Sequence, residues 1–307
     1  MKRHIPLACA VLAVVLLTGC TGMREAEVGE PQALQGMASV PAGTFAMGAS
    51  PAEGYLRCVA IRGDACHRSW FEDEDPIHQV YLDEFYIDIY EVTNAQFQEF
   101  IQATGYVTEP ERAGYGTGWE DSWERVPGLN WRHPTNPDSS IETIMDHPVA
   151  QVTWADANAY CAWVGKRLPT EAEWAKAARG TDWRIYPWGN EWDGALLNHG
   201  QALPPRWDNS DGYKYTAPVG TFQRGESPYG VHNMGGNVWE WVADWYDAEY
   251  YSGSPAENPK GPPSGEKGVC RGGSWWSYSA SARTATRHAL PRDFATSAGG
   301  FRCALSP

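Results

Sequence analysis

Positive charge is scarce in this chain: its 307 residues carry 24 lysines and arginines against 38 acids, a formal net charge of −14. A phosphate backbone is held by clustered Lys and Arg, so no nucleic-acid partner is expected. Long apolar runs are missing too. The longest, Leu7 to Leu17, has 11 residues, well short of the ~20 that a spanning helix needs. No P-loop, dinucleotide fingerprint or Ser-His-Asp order is present, and the eight histidines are scattered without H-x₃-H spacing. There is no internal repeat and no low-complexity tract, and the 32 glycines and 22 prolines stay below the roughly 25–30% that signals disorder. What the chain does have is rings, with 16 tryptophans and 15 tyrosines. So many rings among so many glycines predict a loop-rich fold whose connections are pinned by buried aromatics. At ~150 residues per domain the length allows one large domain or two small ones, and one intertwined α+β domain is the simplest reading.

The first 19 residues read as a signal peptide, with Lys2 and Arg3 before the apolar run. Leu17-Thr18-Gly19-Cys20 resembles a bacterial lipobox, which implies cleavage before Cys20 and lipidation of that residue. Thr21 is not the aspartate associated with inner-membrane retention, so the expected place is the outer membrane facing the periplasm. Residues 20–38 are polar and read as a flexible tether to a domain spanning 39–307. Export makes disulfides expected. With Cys9 lost and Cys20 lipidated, Cys58, Cys66, Cys161, Cys270 and Cys303 remain, an odd number. Cys58 and Cys66 close a short loop and are the easiest pair, although Cys66-His67 could instead belong to a metal site.

Ser39 to Gly48 reads as two short strands around a Pro/Gly turn, and Val80 to Tyr90 alternates as a strand. Three helices are marked by capping boxes, in which a Thr side chain caps a backbone N–H and the residue three on returns the bond: Thr93/Gln96, Thr153/Asp156 and Thr170/Glu173. Beyond Gly180 only short strands are expected, at 268–276, 283–288 and 300–305, between long segments rich in Trp, Gly, Asn and Asp. Such loops are uncommon unless metal, disulfide or function orders them.

The words along the chain carry a resemblance. Val40 to Gly48, Tyr90-Glu91-Val92-Thr93-Asn94 and His147-Pro148-Val149 are followed by Lys166 to Trp174 and Pro187-Trp188-Gly189. Asn233 to Trp241, Arg271-Gly272-Gly273-Ser274 and Gly300-Phe301-Arg302 complete the series. Over about 40–305 the chain resembles the sulfatase-modifying-factor family. That family includes the formylglycine-generating enzyme, a pyoverdine-maturation protein and many envelope lipoproteins. The resemblance implies a C-type-lectin-like α+β fold with little regular secondary structure. It also implies two structural calcium sites. The first takes side-chain oxygens from Asn198 and Asp211 and carbonyls from His199 and Tyr213; the second takes side chains of Asn233 and Glu240 and carbonyls of Gly236 and Val238. Calcium favours such hard oxygens, whereas turn capping is the plainer use of Asn and Asp.

The formylglycine-generating enzyme binds Cu(I) through a C-x₄-C pair shortly after the Gly-Gly-Ser. Here Ser277 stands where the first cysteine would be, and Ala282 is the nearest residue to the second. Cu(I) wants soft thiolates, so copper is not expected. By family match Cys161 pairs with Cys303, and Cys270 is left over, either reactive or a small apolar strand residue. Ser274 and Arg287 match positions lining the family's peptide groove, and Trp239 matches a ring at its floor. Arg287 either holds a ligand's carboxylate or carbonyl, or pairs with an acid of the chain itself. His232, His288 and Asp293 are the remaining proton-transfer candidates. Two functional expectations follow. One is a lipid-anchored, calcium-stabilised binding or assembly module that holds a peptide or protein and lacks copper chemistry. The other is an oxidoreductase or peptide-modifying enzyme using non-copper chemistry, like the pyoverdine-maturation branch. A cell-wall lectin rests only on fold analogy.

Overall fold

The computed structural model describes Met1 and residues 34–119, 122–200 and 209–307. The leader, Cys20 and most of the tether lie outside the described residues. Strand β1 (Met37–Val40) turns at Pro41-Ala42 into β2 (Gly43–Met47), as the Pro/Gly signal predicts. The last two residues assigned to the tether, Met37 and Ala38, already belong to β1.

Helix α1 (Pro51–Arg62) follows, capped by the Ser50 hydroxyl with proline in its first turn. The helical period misses it because Gly54 interrupts the apolar face, and that glycine is forced: a Cβ there would stand 2.3 Å from Phe71 Cδ1. The stretch read as one strand from Val80 is two, β3 (His78–Leu82) and β4 (Phe85–Asp88). Val80 and Leu82 keep one parity and Phe85 and Ile87 the other, so the chain turns at Asp83-Glu84, where Asn258 Oδ1 accepts the Asp83 N–H at 2.9 Å. β3 pairs with β2, and β4 lies between β1 and the C-terminal β11 (Ala304–Leu305).

All three capping boxes are present, opening α2 (Asn94–Thr104), α4 (Trp154–Trp163) and α5 (Glu171–Arg179). A fourth, Thr108 with Glu111, opens the five-residue α3 (Glu109–Ala113), too short to show a period. The hairpin of β5 (Tyr115–Trp119) and β6 (Trp123–Pro127) was not foreseen. Beyond α5 lie β7 (Trp239–Trp245), β8 (Lys267–Arg271), β9 (Arg287–Pro291) and β10 (Gly299–Phe301), forming one sheet in the order β10-β7-β8-β9. β10 runs parallel to β7 and the other pairs are antiparallel. Residues 283–286 are turn rather than strand, so β9 begins four residues later than expected.

The aromatics do the pinning that composition suggested. Trp174, Trp241 and Trp275 are buried, and their indole N–H groups reach Glu240 Oε2 at 2.8 Å, the Val152 carbonyl at 3.2 Å and the Ser297 carbonyl at 3.0 Å. Each ring thus fills space and satisfies a distant acceptor, for Trp241 and Trp275 a loop carbonyl. The disulfide Cys58–Cys66 closes the α1 lobe, and Cys161–Cys303 ties α4 to the chain end. Cys66 is therefore no metal ligand, and His67 packs edge-on against Trp70.

The most buried ion pair is Glu240–Arg302, with both side chains fully inaccessible. Arg302 donates from Nε to Glu240 Oε2 and from a terminal nitrogen to Oε1, each at 2.7 Å. Breaking a buried pair by removing one partner strands the other charge, at about 3–5 kcal/mol. Arg302→Met is expected to lose stability on that scale in urea denaturation followed by tryptophan fluorescence. An unchanged midpoint would show that the pair does not hold the fold.

Candidate functional site

Strand β8 ends at Arg271, and two glycines with left-handed backbone, Gly272 (φ 95) and Gly273 (φ 81), turn the chain sharply away from the sheet. A Cβ on Gly273 would stand 3.1 Å from Ser277 Oγ, so this turn also lets the chain pack on itself. Ser277 Oγ accepts the Ser274 N–H at 2.9 Å, and Ser274 Oγ accepts the Trp276 N–H at 3.3 Å. Both hydroxyls hold the turn.

Over this turn opens a cleft of about 450 Å³, and the four residues expected in it, Trp239, Ser274, Ser277 and Arg287, all line it. The wall is aromatic: Trp70, Trp123, Trp276, Tyr278 and Phe294 join Trp239, on which His288 stacks with ring centroids 4.7 Å apart. Trp123 and Phe294 also line an adjoining cavity of about 660 Å³ that includes Arg112, Arg125 and Asp293. The three proton-transfer candidates are not brought together. His288 is in the cleft and Asp293 in the adjoining cavity, while His232 stacks on Tyr90 elsewhere.

Of the two readings of Arg287, the internal pair holds. Its Nε and one terminal nitrogen donate to the two oxygens of Glu171 at 2.8 and 3.0 Å, and the other terminal nitrogen donates to the carbonyls of Asp73 and Asp247. Every nitrogen already has an acceptor within the chain, so Arg287 shapes the wall. Burial opposes ionisation of Glu171, but Arg287 and Arg271 outweigh it and hold that carboxyl below its usual range. Asp244 goes the other way. Buried, and close to Glu171, it is pushed up to about 8 while its carboxylate caps α5 by accepting the Glu171 N–H at 2.8 Å.

Cys270, 1% exposed, sits mid-sheet opposite Trp241 and His288. Burial pushes its thiol well above the ordinary value. It is the small apolar strand residue of the two alternatives, and the other cysteines among the described residues are in disulfides.

The eight residues assigned to calcium form two adjoining groups. In the first, Asp211 accepts the His199 N–H at 2.8 Å and the Tyr213 N–H at 2.9 Å. Asn198 donates to the Tyr215 carbonyl and to Asn237, while its buried Oδ1 has no hydrogen-bond partner. In the second, Asn233 donates to Glu91 Oε2 at 2.8 Å, and Gly236 (φ 87) packs so closely on Asn198 that a Cβ would lie 2.2 Å from its carbonyl oxygen. Val238 is fully buried beside them, and Glu240 already accepts from Arg302 and Trp174 with both oxygens.

The residues that sequence reasoning missed are Glu91 and Asn237. Asn237 donates to Glu91 Oε1 at 2.9 Å, accepts from Asn198 and so joins the two groups. Burial raises the Glu91 carboxyl to about 7. Both residues lie in segments that carried the family resemblance, but no local pattern marked their roles.

The family model described as the sulfatase-modifying factor enzyme 1-like domain matches residues 24–307. The chain is 39% identical over 306 residues to the formylglycine-generating enzyme of Bos taurus, covering 90% of this chain and 76% of that protein. It is 34% identical over 325 residues to inactive C-alpha-formylglycine-generating enzyme 2 of Mus musculus, covering 98% and 95%. Among solved structures it is similar to PvdO from Pseudomonas aeruginosa, with a TM-score of 0.66 and 25% identity over 88% of this chain and 94% of that one.

The state of Asp244 has a measurable consequence. Its folded value of about 8 lies above the ~3.9 of a free aspartate, so between the two the unfolded chain releases a proton that the folded chain keeps. Stability attributable to this group therefore falls as pH rises through that window. Asp244→Asn is expected to flatten the decline, measured as urea midpoints across the window. Parallel profiles for the two proteins would refute the assignment.

Proposed function

Because the chain belongs to the sulfatase-modifying factor enzyme 1-like family, we propose that it is a lipid-anchored envelope protein whose calcium-stabilised domain is a binding or assembly module. The aromatic cleft takes a peptide or protein segment, and copper-dependent formylglycine synthesis is absent. One observation carries this reading: the residue at the first copper-ligand position is Ser277, and its hydroxyl accepts a backbone N–H that fixes the turn. A hydroxyl does not replace a thiolate for Cu(I). Among the described residues the remaining free thiol, Cys270, is buried in the sheet rather than lining the cleft. The residues present do not fit copper.

The donors of the first group suit calcium. The first group offers a carboxylate oriented by two amides and a buried amide oxygen with no partner, the kind of donor a hard cation completes. In the second, Glu91 adds a carboxyl group beside Asn233, while Glu240 is already matched by Arg302. A divalent cation at the first group would complete Asn198 Oδ1. Its role would be structural, tying together loops that lack ladder hydrogen bonds. The relatives include both a formylglycine-generating enzyme and an inactive one, so family membership does not require the oxidase reaction.

A second reading, a non-copper modifying enzyme, is favoured by His288, an imidazole stacked at the cleft floor where it could exchange a proton with a bound segment.

Two measurements test the proposal. The mature domain incubated with Cu(I), oxygen and cysteine-containing peptides should leave the peptide mass unchanged. Turnover would overturn the binding-module reading, and Ser277→Cys alone should not create activity. For calcium, a chelator should lower the thermal midpoint and added Ca²⁺ should restore it. Asn198→Ala should reduce that restoration, and a midpoint indifferent to both chelator and Ca²⁺ would refute the metal sites.

A further inference from the structure

We infer that the cleft selects an anionic peptide segment and that Arg62 is the residue that reads its charge. The inference rests on the binding-module reading and names the ligand class. Arg62 ends α1 and lines the cleft, with its guanidinium carbon 5.9 Å from the Trp70 ring centroid and 5.5 Å from that of Tyr278. It makes no ion pair among the described residues, in a chain with 14 surplus negative charges. The other cleft guanidinium, Arg287, is neutralised by Glu171.

Among the described residues no aspartate or glutamate lines the cleft, so the one uncompensated formal charge they bring to it is positive. The adjoining cavity does not alter that balance, because Arg112 and Arg125 face Glu109 and Asp293 there. A guanidinium already resting on two rings presents a planar fork that matches a carboxylate bidentately, with less side-chain freedom left to lose. Aromatic walls strengthen the attraction by lowering the local dielectric. The cleft volume of about 450 Å³ exceeds what a lone carboxylate fills, and the half-exposed Trp70, with Trp239 and Trp276, offers surface for flanking apolar side chains. The occupant that satisfies both features is an extended segment with Asp or Glu between bulky apolar residues. A segment with Lys or Arg at that position meets like charge.

The test uses fluorescence anisotropy with three labelled peptides sharing Trp and Leu flanks and differing at a central Asp, Asn or Lys. We expect the Asp peptide to bind tightest and the Lys peptide weakest. Arg62→Ala should weaken the Asp peptide about 10- to 100-fold, the range for a hydrogen bond to a charged group, and leave the Asn peptide unchanged. Arg62→Lys should recover part of the preference, and near-ultraviolet circular dichroism confirms that each variant is folded. Trp239→Ala is the control for the site and should weaken all three peptides. If the peptides bind alike and only Trp239→Ala matters, the cleft reading stands and the charge inference is overturned. If no peptide binds, or Trp239→Ala changes nothing, the peptide-groove reading falls and the inference falls with it.

Discussion

Arg302 sits where three parts of the molecule meet, and its hydrogen bonds tie them together. Two nitrogens hold Glu240 on β7, one of these also reaches the His232 carbonyl, and the third reaches the carbonyls of Asp88 and Ile89 at the end of β4. Glu240 in turn holds Trp174 of α5. The cleft inherits its position from this point. Glu240 pairs with Arg271 across β7 and β8, and Arg271 is the last residue before the Gly272-Gly273 turn. Arg271 is itself fixed to the carbonyls of Thr284 and Ala285 beyond that turn. A carboxylate removed from water must be matched by a charge and by hydrogen bonds, and here one ion pair links β7, the end of β4 and the chain's C-terminal segment.

The same device recurs and explains how a fold with so little ladder hydrogen bonding stays ordered. Glu74 takes both terminal nitrogens of Arg283 at 2.7 and 2.6 Å, and Glu171 takes Arg287 with support from Arg271. These pairs are long-range, joining residues separated by 100 to 209 positions. Each closes loops that a sheet would otherwise have to close. Guanidinium suits the task because its fork satisfies a carboxylate and several carbonyls at once. Asp244 and Glu91 depart from this pattern, and burial pushes both toward neutrality.

Legibility in the sequence followed the range of the interaction. Capping boxes are local, and all three were readable at Thr93, Thr153 and Thr170. The Cys58–Cys66 bridge spans eight positions and spacing suggested it, whereas Cys161–Cys303 spans 142 and only the family resemblance suggested it. Strand β7 hid because residues 240–242 are all buried, so no apolar–polar alternation survives. Glu91 and Asn237 hid for a related reason. Their contact joins segments 146 positions apart, and neither residue is unusual in its own neighbourhood.

Position 277 shows a side chain serving backbone geometry. A serine oxygen at 2.9 Å from the Ser274 amide makes a normal hydrogen bond. A thiol is a weaker acceptor with a longer reach, and one coordinating a metal would be directed toward the cleft. Serine stabilises the turn instead. Both arrangements require the paired left-handed glycines, because a side chain on Gly273 would crowd residue 277 in either case. The Gly-Gly-Ser turn is thus a statement about backbone geometry. The wall above it is built by the lobe that carries Arg62, Trp70 and Phe71, stapled by Cys58–Cys66, with the Tyr278 hydroxyl 3.3 Å from Cys58 Sγ.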